Sequence, residues 1–145
     1  MPRPTINELI EASKAGDIRL ITKLLRRNGR IVNSSDSEGT PPLGWASAFG
    51  HESTARLLLE KGASIDFADM SGATPLLIAC ENGREATARL LLEMRASIDL
   101  ADNLGFTPLF IACEKGYETT AGLLLEKGAS IDISKKNGAT PLYIT

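Results

Sequence analysis

The sequence predicts an all-α solenoid of stacked helix-turn-helix units joined by β-hairpin-like fingers, and three observations carry that prediction. Residues 72–104, GATPLLIACENGREATARLLLEMRASIDLADNL, recur without a gap 33 residues later as 105–137, with TPL, IAC, LLLE and ASID in register. The same unit recurs 33 residues earlier as 39–71, where the second half matches and the first has drifted. Each unit also carries two helical stretches split by a glycine, and a unit of that size cannot bury its apolar face alone. Stacking neighbours is what gives it a core.

The chain opens with a divergent capping unit over residues 5–38. Leu9, Ile10 and Ala12 share one helical face, Gly16-Asp17 breaks the chain, and Ile18, Ile21, Leu24 and Leu25 share the face of a second helix. Compared with the later copies this unit has one extra residue among Arg26, Arg27 and Asn28, so its outer helix or the following turn should run longer. In the full units, 39–71, 72–104 and 105–137, the motifs Asp69-Met70-Ser71-Gly72 and Asp102-Asn103-Leu104-Gly105 place Asp first and Gly fourth, as a type I turn prefers, and so mark the finger tips. Thr74 and Thr107 stand as N-caps, with Pro75 and Pro108 at the first helical position. A short inner helix then runs to Gly83 or Gly116. The outer helix covers about Glu85 to Glu93 and Glu118 to Glu126, and Gly62 and Gly128 terminate its counterparts because glycine takes the left-handed cap without strain.

Departures from the repeat predict uneven stability. Arg95 occupies the glycine slot of the second full unit, Pro41 replaces the capping Thr of the first, and Gly44 and Ser47 weaken that unit's inner helix by propensity. The first full unit should therefore fray before the central one. Lys135 replaces the turn Asp of the last copy, and a truncated unit, 138–145, reads GATPLYIT. Leu142 and Ile144 in it have no polar cap, so the natural chain is expected to continue or to self-associate through this C-terminal face.

The motifs Gly-x-Thr-Pro-Leu, Ala-Cys, Leu-Leu-Leu-Glu and Gly-Ala-Ser-Ile-Asp at a 33-residue period resemble the ankyrin repeat over about nine tenths of the chain. The resemblance implies an ankyrin-type α-solenoid spanning 1–145 as a single domain. The histidine that usually follows Thr-Pro-Leu in that family is replaced by Gly44, Leu77, Phe110 and Tyr143. The resemblance further implies a protein-protein interaction scaffold or adaptor, with a partner protein held in the concave groove, and the alternative of a regulatory or targeting segment of a larger enzyme or channel. Transferred slot by slot, the partner-binding positions are Phe49, Met70, Ser71, Glu81, Asn82, Asn103, Leu104, Phe106, Glu114 and Lys115. Among them Phe49, Met70, Leu104 and Phe106 are apolar where the fold does not demand it, which marks them as hot spots.

Composition and spacing argue against other chemistry. With 145 residues and 43% hydrophobic content the chain suits one ordinary globular domain. No apolar run approaches the ~18 residues of a membrane span and MPRPTINELIEASK has no apolar signal core, so a cytosolic or nuclear protein is expected. Cys80 and Cys113 occupy the same slot of adjacent units, too far apart for a disulfide if packed helices lie ~8 to 10 Å apart, and both read as small buried hydrophobes. His51 is the single histidine, so there is no zinc spacing, and its expected role is to pack on or bond to an adjacent turn. No phosphate-binding glycine motif and no catalytic constellation appears, so no cofactor and no enzyme activity is expected. The recurring Asp66, Asp99 and Asp132 suit hydrogen bonds to the hairpin, and Trp45, in the slot of Ile78 and Ile111, is expected to point into the stack, with a partly exposed anchor as the alternative. Residues 1–33 carry seven Lys or Arg against three Asp or Glu, which suits a solvated capping face or an acidic partner or membrane surface. The repeats themselves are acidic and lack basic-aromatic interleaving, which argues against nucleic acid.

Overall fold

The computed structural model describes residues 2–131, and its eight α-helices form two layers. The inner layer holds α1 (Ile6–Ala15), α3 (Pro42–Phe49), α5 (Pro75–Glu81) and α7 (Pro108–Glu114). The outer layer holds α2 (Ile18–Arg27), α4 (Glu52–Glu60), α6 (Glu85–Glu93) and α8 (Glu118–Glu126). Each inner helix packs on its own outer helix and on the inner helices of adjoining units, and the outer helices pack in the same order. The result is a solenoid of helical hairpins. No strand occurs among the described residues; the fingers at 36–40, 69–73 and 102–106 are tight turns with hairpin-like hydrogen bonds.

One leucine from each helix builds the spine between the layers. Leu9, Leu43, Leu76 and Leu109 meet Leu24, Leu58, Leu91 and Leu124, and none is more than 4% exposed. Burying one such side chain stabilises the fold by about 1.5 to 3 kcal/mol, so each hairpin depends on its leucine pair. A smaller apolar cluster, Ala73, Leu77, Ile78 and Ile111 with Ala48 and Phe106 against it, lies on the finger side. Leu77 and Phe110 stand where the family's histidine would be and are buried, so packing replaces a polar ladder there.

Helix ends follow the sequence closely. Thr5 and Glu8 form a capping box on α1, and the N–H groups of Leu77 and Phe110 donate to the Thr74 and Thr107 hydroxyls at 3.2 and 3.1 Å. Pro41 gives α3 no such side-chain cap. The outer helix of the capping unit has ten residues against nine in α4, and a 3-10 turn over Gly29–Asn33 follows it, which accommodates the extra residue. Inner helices α5 and α7 end at Glu81 and Glu114, two residues before the glycines expected to close them.

Polar links join consecutive units along both edges. The Ser97 N–H and hydroxyl donate to Asp66 at 3.0 and 2.6 Å, the Ser130 N–H donates to Asp99 at 2.9 Å, and Asn33 takes the equivalent place beneath Ser64 at 2.7 Å. At the finger edge the Met70 N–H donates to the Glu38 carbonyl and the Asn103 N–H to the Ser71 carbonyl. His51 bonds the Lys14 carbonyl through Nε2 at 2.8 Å, across the turn at Gly16, as expected of it. A Cβ at Gly16, where φ is 71°, would sit 2.9 Å from His51 Nδ1, so this turn needs glycine for both conformation and space.

Three expectations require correction. Trp45 is half-buried rather than core, because its indole N–H reaches Asp36 Oδ2 at 2.7 Å and the Lys14 ammonium lies 4.2 Å from its ring centroid. Cys113 is half-buried whereas Cys80, on α5 between α3 and α7, is fully buried. Ile18 is 41% exposed because it opens α2 at the slot that Glu52 and Glu118 fill in α4 and α8, which faces solvent in those units as well. The expectations for Asp132, Lys135, Leu142, Tyr143 and Ile144, and for self-association through them, also lie outside the described residues.

Candidate functional site

A groove of about 520 Å³ runs between the fingers and inner helices of the second and third full units. Its floor is Ala73, Leu77 and Ile111, held by the finger-side cluster. Its wall is Leu104 and Phe106, and its rim is Ser71, Glu81, Asp102, Glu114 and Lys115. Six of the ten positions expected to bind a partner therefore converge: Ser71, Glu81, Leu104, Phe106, Glu114 and Lys115. Leu77 and Ile111 were legible only as core.

The finger holding Leu104 is rigid for a local reason. Asp102 Oδ1 accepts the Leu104 and Phe106 N–H groups, each at 2.9 Å, and the Gly105 N–H closes the turn on the Asp102 carbonyl at 3.0 Å. Leu104 is thereby held 64% exposed at the edge of the groove. Phe106 is half-buried, its ring tilted 40° to Phe110 with centroids 5.1 Å apart. With Glu81, Glu114 and Asp102 against one Lys115, the rim is acidic.

The other four expected positions point elsewhere. Met70 is 72% exposed and lies over Gly39 of the preceding finger, in a separate depression with Ser37, Glu38, Asp69 and Ser71. Asn103 donates from its side chain to the Met70 carbonyl at 3.0 Å, which commits it to joining fingers. Asn82 donates to the Ile78 carbonyl of its own helix at 2.8 Å. Phe49, 47% exposed, stacks with Trp45 and His51 at 6.2 and 6.3 Å on the first full unit.

Burial and hydrogen bonding together set the electrostatics elsewhere. Burial pushes the Cys80 thiol up to about 12 and also raises Cys113, so both stay protonated at neutral pH. Burial tends to raise Asp36, but the Trp45 indole, the Thr40 and Glu38 N–H groups and the Lys14 charge outweigh it and leave Asp36 below the ordinary aspartate value. Among the described residues no three His, Cys, Asp or Glu side chains are grouped so as to hold a metal ion. No described helix is long and apolar enough to cross a membrane.

A repeated helical hairpin with a groove along its fingers defines a helical solenoid. A family model described as ankyrin repeats (three copies) matches residues 9–102, and one for a single ankyrin repeat matches residues 104–136. The chain belongs to the ankyrin-repeat family. No curated protein matches it. Ankyrin repeats are generally protein-protein interaction modules and typically lack catalytic activity.

Proposed function

We propose that this chain is a scaffold or adaptor that holds a partner protein in the groove between its second and third full units. The observation that carries the reading is Leu104, fixed 64% exposed by the Asp102 turn beside an apolar floor. An exposed apolar side chain on a rigid turn loses little entropy on docking and is a favourable anchor. The acidic rim selects a partner segment with an apolar side chain flanked by Lys or Arg.

Affinity capture with the wild-type chain and with Leu104→Ala, compared by mass spectrometry, tests this. A partner retained by the first and lost by the second is expected, with a cost of about 2 kcal/mol or more for a hot spot. Phe106→Ala should weaken the same partner while also costing about 1 kcal/mol of stability, because it removes the ring contact with Phe110. Equal retention by wild type and Leu104→Ala would remove the groove from the reading.

A further inference from the structure

We propose a second, anion-binding site at the far end of the stack, where Arg3, Arg27 and Arg30 line a cleft of about 400 Å³ with Asn28 and Gly29. The ligand class is a multiply charged phosphate ester. The three guanidiniums come from separate segments: the N-terminal arm, the last turn of α2 and the 3-10 turn. Arg27 donates to the carbonyl of Pro2, 25 residues away in sequence, and so draws the arm and its Arg3 to the cleft.

Among the described residues none of these three arginines is ion-paired with a carboxylate. Of the three acids in residues 1–33, Glu8 is engaged by Thr5, Glu11 pairs with Lys14 at 3.2 Å, and Asp17 caps Leu20 at 3.0 Å. The outer helices of the next two units behave differently, since Arg56 pairs with Glu52 and Arg89 with Glu85 one turn apart. Helix α2 has no acidic residue, and Arg19, Lys23 and Arg26 extend the positive field along it. Complementing the α2 C-terminal dipole accounts for Arg26 and Arg27 but not for Arg3, which another segment brings in.

Phosphate is favoured over a carboxylate because the guanidinium fork matches its oxygens in pairs and several forks share one group of oxygens. The volume suits a phosphorylated ring better than a lone ion. No aromatic side chain lines the cleft for a base to stack on, which argues against a nucleic-acid strand. The space beside Gly29 is open, since a Cβ there would meet nothing within 4 Å.

The test is titration of the full chain with inositol trisphosphate, followed through the Gly29 amide and the arginine Nε resonances. In parallel, the chain is sedimented with phosphatidylcholine vesicles with and without phosphatidylinositol bisphosphate. The proposal expects saturable shifts at Gly29, Arg27 and Arg30, and a loss of affinity of roughly tenfold or more in Arg27→Gln and Arg30→Gln. Arg56→Gln, on an ion-paired arginine of α4, should bind as wild type does. Binding to both probes identifies a lipid headgroup as the source, and binding to the soluble probe alone identifies a free phosphate ester. Absence of binding to either, an equal loss in Arg56→Gln, or tighter binding of a single-stranded oligonucleotide than of the trisphosphate would overturn it. Because the cleft and the groove share no residue, this outcome is independent of Leu104→Ala.

Discussion

Arg95 has φ 71°, a left-handed conformation that glycine adopts in the equivalent turns at Gly62 and Gly128. A side chain there costs roughly 1 to 2 kcal/mol, and Arg95 is exposed, so nothing packed around it offsets the strain. Arg95→Gly should therefore raise the denaturation midpoint, with a gain of about 1 kcal/mol in urea unfolding. An unchanged or lower midpoint would mean that the turn is not strained. This position was legible from the repeat alone, since one residue stands where the other copies have glycine. Trp45 was not, because the indole needs a partner for its N–H, and Asp36 at the finger supplies one that holds the ring at the surface. Register identified the slot; the size and polarity of the substituent decided where it points.

Among the elements, the fingers couple turn geometry to charge. Asp36 accepts the Glu38 and Thr40 N–H groups at 3.0 Å each as well as the Trp45 indole, and the carboxylate accepts all three more strongly than the protonated acid would. Its lowered pKa means that it stabilises the fold above the unfolded value and that this contribution is lost as pH falls through the folded one. Thermal melts over the acid range should show wild-type stability falling below the ordinary aspartate value, and Asp36→Asn should be less stable at neutral pH with a shallower acid decline. Parallel pH profiles for the two would contradict the assignment. The helices themselves were legible from caps and glycines, because Thr-Pro and Gly act locally. The convergence of six of the ten positions expected to bind a partner was not, because it depends on how one finger sits over the next inner helix. Asn103 and Asn82 qualify by slot but turn back to bond carbonyls of their own scaffold. The arginine cleft was equally hidden: a basic end was visible, but Arg3 meets Arg27 only in space.

For the whole molecule, a core repeated unit by unit makes stability the sum of each hairpin and its interfaces. Helix α3 has no side-chain cap and carries Gly44 inside it, whereas α5 has Thr74 as cap and buried Leu77 in the matching slot. Hydrogen exchange should find the amides of α3 less protected than those of α5, by about 1 kcal/mol or more from the missing cap alone. Equal protection along the stack would mean that interface coupling overrides local propensity. Filling the gap is no remedy, because a Cβ at Gly44 would lie 2.9 Å from the Thr40 methyl.

Cross-unit bonds nearly all run one way. Ser64, Ser97 and Ser130 donate backward to Asn33, Asp66 and Asp99, Met70 and Asn103 donate backward at the fingers, and Arg84 donates backward to the Ala48 carbonyl. Among the described residues only the Asn33 amide, donating to the Gly62 carbonyl, runs forward. Each full module described thus meets its predecessor with giving groups, and the described joints couple mostly in one direction, like couplings on railway carriages. Excising one whole module would bring a matching pair of ends together again, and reversing a module would set like against like; lineages of such chains can lengthen or shorten by entire carriages without redesigning a joint.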